Sequence, residues 1–128
     1  MIHEPCISIV DDDESVREAA LNLFRSMGFS AVAFASAEEF LRSDCVTRTS
    51  CLVLDVQMPG MGGLRLQSQL ADMGRHIPIV FITGYPDDAT RQKALKSGAV
   101  CFLTKPFEEG ALLDGLRSAL GKSESEGN

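Results

Sequence analysis

"CISIVDDDESVREAALNLFRSMG", residues 6–28, holds a whole structural unit in one stretch. Cys6 to Val10 is a short β-branched run, apolar on nearly every residue, as a parallel strand covered on both faces should be. Beyond it, Val16, Ala19, Ala20, Leu23, Phe24 and Met27 follow the i, i+3, i+4, i+7 spacing of a helix. Asp13 is placed to cap the start of that helix and Gly28 to end it. Between strand and helix stand three aspartates in a row, Asp11, Asp12 and Asp13. Like charges this close repel, and carboxylates lose hydration when a fold half-covers them. The stretch therefore reads as a βα unit with an acidic cluster at its turn.

The same alternation recurs along the chain. Further candidate strands are AVAFA (31–35), CLVLD (51–55), IVFIT (79–83) and VCFLT (100–104). The last three share the nearly continuous apolar character of the first and read as central strands, whereas AVAFA is less bulky and reads as an edge. Ser36 with Glu39 forms a capping box for a second helix presenting Phe40 and Leu41. Leu66, Leu70 and Met73 stripe a third helix, closed by Gly74. A fourth, over 88–97, is poorly apolar and offers mainly Ala94 and Leu95. A fifth carries Leu112, Leu113, Leu116, Ala119 and Leu120.

Five βα units in one short chain imply a single doubly wound α/β domain. Its sheet is parallel, its crossovers right-handed, and helices cover both faces. Functional residues in such sheets gather at the carboxyl ends of the strands, near the switch in strand order. The domain is expected over 1–120. The last eight residues, GKSESEGN (121–128), are small and polar and read as a flexible tail or the start of a linker.

Bulk properties exclude several classes of function. The chain has 128 residues, enough for one domain with a real core, and 45% hydrophobic content is ordinary for a globular protein. Net charge is 12 − 18 = −6, which argues against nucleic-acid binding by this chain. No apolar run approaches the roughly 20 residues of a membrane span. The start, MIHEPCISIV, lacks the basic and long apolar segments of a secretory signal, so the expectation is a cytoplasmic protein. Cys6, Cys45, Cys51 and Cys101 show no C-x-x-C spacing and no pairing with His3 or His76, which leaves little for zinc or redox chemistry. Three of them lie in apolar runs, where reduced cysteine packs as a small hydrophobe.

The strand ends carry the chemistry. Asp11 and Asp12 follow the first strand, Asp55 ends the third, Thr83 ends the fourth, and Lys105 follows the fifth. Singly, each has an ordinary explanation: a cap, a strand residue, a solvated lysine. Converging on one sheet edge, three acids, a hydroxyl and an ammonium need a neutralising partner. Mg²⁺ fits, because it takes oxygen ligands and binds through a few carboxylates together with phosphate oxygens. The absence of Cys and His from these positions argues against zinc or copper. Asp13 is explained by its cap role. A carboxylate can act as nucleophile and form an aspartyl phosphate, and phosphoryl transfer mainly requires positioning and charge cancellation. Asp55 is the expected nucleophile, because Met58-Pro59-Gly60 turns the chain away from it, and Gly84 leaves room beside Thr83.

At this point "VDDDE", "LDVQMPGMGGL", "FITG" and "LTKPF" together resemble the receiver domain of two-component response regulators, in the family's order and spacing, over the chain to about Leu120. "SAEEFL", "FITGY" and "GAVCFLTKPFEEGALL" are most similar to the FixJ-type branch, whose receivers often precede a LuxR-type helix-turn-helix domain. The resemblance implies a flavodoxin-like, CheY-like (βα)5 fold with a five-stranded sheet of order 2-1-3-4-5. It implies that Asp55 is the phosphoacceptor for a phosphohistidine on a sensor histidine kinase. Asp11, Asp12 and Asp55 then bind Mg²⁺ together with the backbone carbonyl of Gln57, and Lys105 contacts the phosphoryl oxygens. The Lys105–Pro106 bond resembles one that is usually cis in the family. Thr83 and Phe102 match the coupled switch residues, and Gln57 and Tyr85 match two positions that influence phosphate lifetime. Phe102 also has a reading of its own: Cys101 and Leu103 point to the opposite face, and the fourth helix has little apolar surface to cover its ring.

The implied function is a signalling receiver that supports its own phosphotransfer and dephosphorylation and is not otherwise an enzyme. Phosphorylation is expected to remodel the face formed by the fourth helix, fifth strand and fifth helix, where a partner or a second copy binds in a homodimer. Its output is transcriptional regulation through a DNA-binding domain beyond these residues, or protein contact by a free-standing receiver. A Mg²⁺-dependent aspartate-nucleophile phosphatase is the enzymatic alternative, but its required second acid, two residues after the nucleophile, is here Gln57. A flavin- or nucleotide-binding module lacks its glycine-rich loop after the first strand. A degenerate receiver does not fit the intact set of five residues.

Overall fold

Asp13 starts the first helix as its position predicts: its carboxylate accepts from the Ser15 amide at 2.9 Å and the Ser15 hydroxyl at 2.7 Å. The computed structural model describes residues 5–126. In chain order the elements are β1 (Cys6–Val10), α1 (Glu14–Ser26), β2 (Ser30–Phe34), α2 (Ala37–Arg42), a 3₁₀ turn (Asp44–Thr47), β3 (Cys51–Asp55), α3 (Gly63–Asp72), β4 (Ile79–Thr83), α4 (Asp88–Lys96), β5 (Cys101–Thr104) and α5 (Glu109–Glu126). The five strands pair in parallel in the order β2-β1-β3-β4-β5, as expected.

Alternation along the strands builds two cores. Leu52, Leu54, Ile79 and Phe81 face α2, α3 and α4, packing against Phe40, Leu66, Leu70 and Ala94. Ile7, Ile9, Val53, Val80 and Ile82 face α1 and α5, packing against Phe24, Leu112, Leu116 and Ala119. Successive strand residues point to opposite faces, so a strand covered on both sides has no polar position to spare. Ser8 is the polar exception in the middle of β1, and its hydroxyl lies 2.7 Å from that of Thr49.

Three expectations are corrected. The apolar run VCFLT reads as central, but β5 is an edge strand, as the implied order 2-1-3-4-5 requires, and is only partly buried because it pairs with β4 alone; its apolar residues serve the two helical layers. Met27 and Met73 are 47% and 50% exposed rather than part of the packed stripes. Both are C-cap residues, where the chain leaves the helical path and the stripe no longer faces the sheet. Helical backbone also continues past residue 120, so that 121–126 of the expected tail are the last turns of α5, with no proline to stop propagation. Residues 127 and 128 lie outside the described residues.

The other signals hold locally. Ser36 accepts from the Glu39 amide at 3.1 Å. Gly28 and Gly74 follow α1 and α3 at φ values of 87° and 75°, the left-handed conformation that glycine adopts without steric cost. Among the described residues, no helix is long and apolar enough to cross a membrane.

Candidate functional site

The register brings the acids together. Val10 stands beside Leu54 and Asp55 beside Ile82, so the residues following β1 and ending β3 emerge side by side. Thr83 pairs with Thr104, which puts Lys105 one step beyond the same edge. Carboxylate oxygens of Asp11, Asp12 and Asp55 all lie within 4.8 Å of one another. Lys105 Nζ bridges two of them, at 2.8 Å from Asp11 Oδ2 and 3.3 Å from Asp55 Oδ2. Asp11, Asp55 and Thr83 are buried and Asp12 is exposed, giving the cluster one open side. Asp11, Asp12, Asp55 and Lys105 thus form one cluster, and Thr83 ends β4 at the same edge of the sheet.

Backbone amides orient the side chains. Asp11 Oδ1 accepts from the Asp13 amide at 2.8 Å, and Asp55 Oδ1 from the Gln57 amide at 3.3 Å. Thr83 Oγ1 accepts from the Tyr85 amide at 3.1 Å, which leaves the hydroxyl proton to donate elsewhere. The Lys105 amide donates to the Thr83 carbonyl at 2.7 Å, and the Lys105–Pro106 bond is cis. Gly63 opens α3 directly beneath Asp55: a Cβ there would collide with the Asp55 carbonyl oxygen, so only glycine lets the loop close this tightly. A Cβ on Gly84 would meet no atom within 4 Å, which is the expected room beside Thr83.

Charge in the pocket is not balanced. Burial, reinforced by the neighbouring Asp11, pushes the Asp55 carboxyl up to about 6 against the pull of Lys105. Burial lowers the Lys105 ammonium, but its bond to Asp11 and the charges of Asp11 and Asp55 outweigh this and leave it raised. Asp11 Oδ2 is buried, and its partner is the Lys105 ammonium at 2.8 Å. Three carboxylates gathered around a single lysine, in a set made only of oxygen ligands, suit a hard cation. Asp13, held low by its bonds to Ser15, is occupied as the helix cap.

Phe102 is half-buried on β5, its ring centroid 6.2 Å from that of Phe81 and tilted by 41°. Gln57 is exposed, as is Tyr85 at 73%. All four cysteines are free, and burial pushes Cys51 up to about 12, in keeping with a packing role. Three contacts had no sequence signal. Arg17 Nη1 donates to the Asp11 carbonyl at 2.9 Å, Gln67 Nε2 to the Ala94 carbonyl at 3.1 Å, and the Met61 amide donates to Glu38 Oε2 at 3.3 Å. Each joins a side chain to backbone of another segment, and spacing cannot reveal such a pairing.

Comparison with known proteins gives this geometry a family. The response regulator receiver domain matches residues 7–117. Nodulation protein W of Bradyrhizobium diazoefficiens is 50% identical over 113 residues, covering 88% of this chain and 50% of that protein. Transcriptional regulatory protein FixJ of Azorhizobium caulinodans is 36% identical over 121 residues, covering 94% of this chain and 57% of that one. Among solved structures, response regulator StyR superposes with a TM-score of 0.90 at 46% identity, over 97% of this chain and 63% of that one. The chain spans about half the length of the curated relatives it matches. With the matched region running from β1 into α5 and the strand-end residues gathered at one edge of the sheet, this chain belongs to the receiver domains of two-component response regulators, in the FixJ-type branch.

Proposed function

We propose that Asp55 accepts a phosphoryl group from the phosphohistidine of a sensor histidine kinase, and that this modification switches the α4–β5–α5 face. The observation that carries this reading is the bridge from Lys105 Nζ to both Asp11 and Asp55: a cationic side chain already sits beside the carboxylate where phosphoryl charge would arrive. An Asp55 carboxylate oxygen attacks phosphorus, the phosphorus–nitrogen bond breaks, and the histidine ring leaves with the electron pair. Lys105 then turns from Asp55 to a phosphoryl oxygen, while Asp11 keeps it in reach. The Thr83 hydroxyl donates to another, and its bond to the Tyr85 amide draws the following loop inward. Phe102 follows by repacking against Phe81 and α4.

Asp11, Asp12 and Asp55, with the Gln57 carbonyl, would hold Mg²⁺, which supplies cancellation of charge on the phosphoryl oxygens. Gln57 and Tyr85, both exposed beside the pocket, control how water reaches the aspartyl phosphate and hence its lifetime. The second acid that a phosphatase would need is missing at Gln57, which favours a receiver with slow self-dephosphorylation.

Lys105→Ala separates the roles in the pocket. Transfer from a small phosphodonor should slow roughly 10²-fold, as when one preorganised donor to a developing charge is removed. Mg²⁺ affinity, measured by calorimetry, should not fall, because the lysine repels the cation. A primary loss of metal affinity contradicts its phosphate-side role.

The receiver domain is read as 1–120, with α5 carrying on through residue 126 toward a linker. For relatives named as transcriptional regulators this chain covers about half the length, so a DNA-binding output domain, acting in the cytoplasm, is the proposed effector. The low apolar content of α4, where only Ala94 is buried, suits a face that repacks into a phosphorylation-dependent homodimer. Light scattering with and without a beryllofluoride phosphate mimic tests this: a monomer-to-dimer change supports it, and an unchanged mass favours a free-standing receiver.

A further inference from the structure

One wall of the pocket is the loop 56–62 between β3 and α3, which carries Gln57 two residues after Asp55. The Gly63 amide closes it on the Val56 carbonyl at 2.9 Å. From outside, Glu38 of α2 presses on it: Oε2 accepts from the Met61 amide at 3.3 Å, across 23 residues of sequence. The contact is close, since a Cβ on Gly60, at φ 77°, would stand 2.7 Å from the same oxygen. The other oxygen, Oε1, is buried with no hydrogen-bond partner. A half-satisfied buried carboxylate costs stability. The neighbouring Glu39, in the same first turn, avoids that cost by facing solvent. Helix formation alone therefore does not explain why Glu38 turns inward.

The geometry points to Glu38 as a positioning residue for the metal site. Its carboxylate holds Gly60–Met61 so that the other end of the short loop presents the Gln57 carbonyl beside the acidic cluster before any cation arrives. This role rests on the Mg²⁺ and phosphoacceptor reading above. Groups that orient ligands without touching the metal commonly matter by 10–100-fold in affinity.

Calorimetric titration of Mg²⁺ into the 128-residue chain, with hydrogen exchange of the Met61 amide in metal-free buffer, tests it. Glu38→Asp keeps the charge and the first-turn acid but draws the acceptor back by one carbon. It should weaken Mg²⁺ binding about tenfold and speed Met61 exchange, and Glu38→Ala should do the same. Glu38→Gln, which keeps an acceptor oxygen at full reach, should stay within about twofold of the parent, and so should Glu39→Ala. Parental affinity in Glu38→Asp overturns the proposal while the metal site stands. A loss in Glu38→Gln equal to that in Glu38→Asp overturns it too, by showing that charge rather than the bond to Met61 matters. Failure of the unsubstituted chain to bind Mg²⁺ removes the metal site itself, and the role of Glu38 with it.

Discussion

Incubated with Mg²⁺ and a small phosphodonor, the chain should gain the mass of one phosphoryl group, and Asp55→Asn should gain none. The difference is absolute because an amide offers no anionic oxygen to attack phosphorus. Neither neighbouring acid can substitute. Asp11 is fully buried, with one oxygen held by the Asp13 amide and the other against Lys105. Asp12 is exposed on the open side, away from the enclosed place that Asp55 occupies at the end of β3. Equal labelling of Asp55→Asn would remove the nucleophile assignment, and labelling moved to Asp12 would show that position in the pocket matters less than charge.

The same substitution should also stabilise the fold, in a pH-dependent way. Asp55 is raised from an ordinary 3.8 to about 6, by burial first and Asp11 second. Between those values the folded chain holds a proton that the unfolded chain has released. Stability from this group is therefore complete below about pH 4 and is lost as pH rises through 6. That rise corresponds to on the order of 3 kcal/mol. Asparagine never ionises, so Asp55→Asn should match the parent below pH 4 and exceed its stability by up to that amount above pH 7. Urea denaturation in metal-free buffer measures the difference. Mg²⁺ should narrow it, because a ligand that binds only the folded parent stabilises it by mass action. An asparagine variant less stable than the parent at pH 8 would mean that Lys105 already compensates the ionised pair.

These expectations share a physical origin: the pocket stores unfavourable charge that phosphoryl transfer and metal binding relieve. Only part of that was legible beforehand. Element type and order were, because a short apolar run, a 3.6-residue stripe and an aspartate or serine cap act on neighbouring residues. The strand ends at Val10, Asp55 and Thr83 fell where the runs stopped, which was enough to nominate the five strand-end residues. The exposed Met27 and Met73 were misjudged, since periodicity does not say where the helix leaves the sheet it packs on. VCFLT was likewise apolar enough for a central strand, and its edge position depends on which strands pair.

Local spacing thus specified five βα units and put the reactive side chains at their carboxyl ends, since both depend on atoms a few residues apart. Whether Lys105 bridges Asp11 and Asp55, how far burial lifts Asp55, and that Glu38 leans on Gly60 and Met61 were decided only by the folded chain. These are matters of distance and dielectric between residues 22 to 94 positions apart, and register and packing set both.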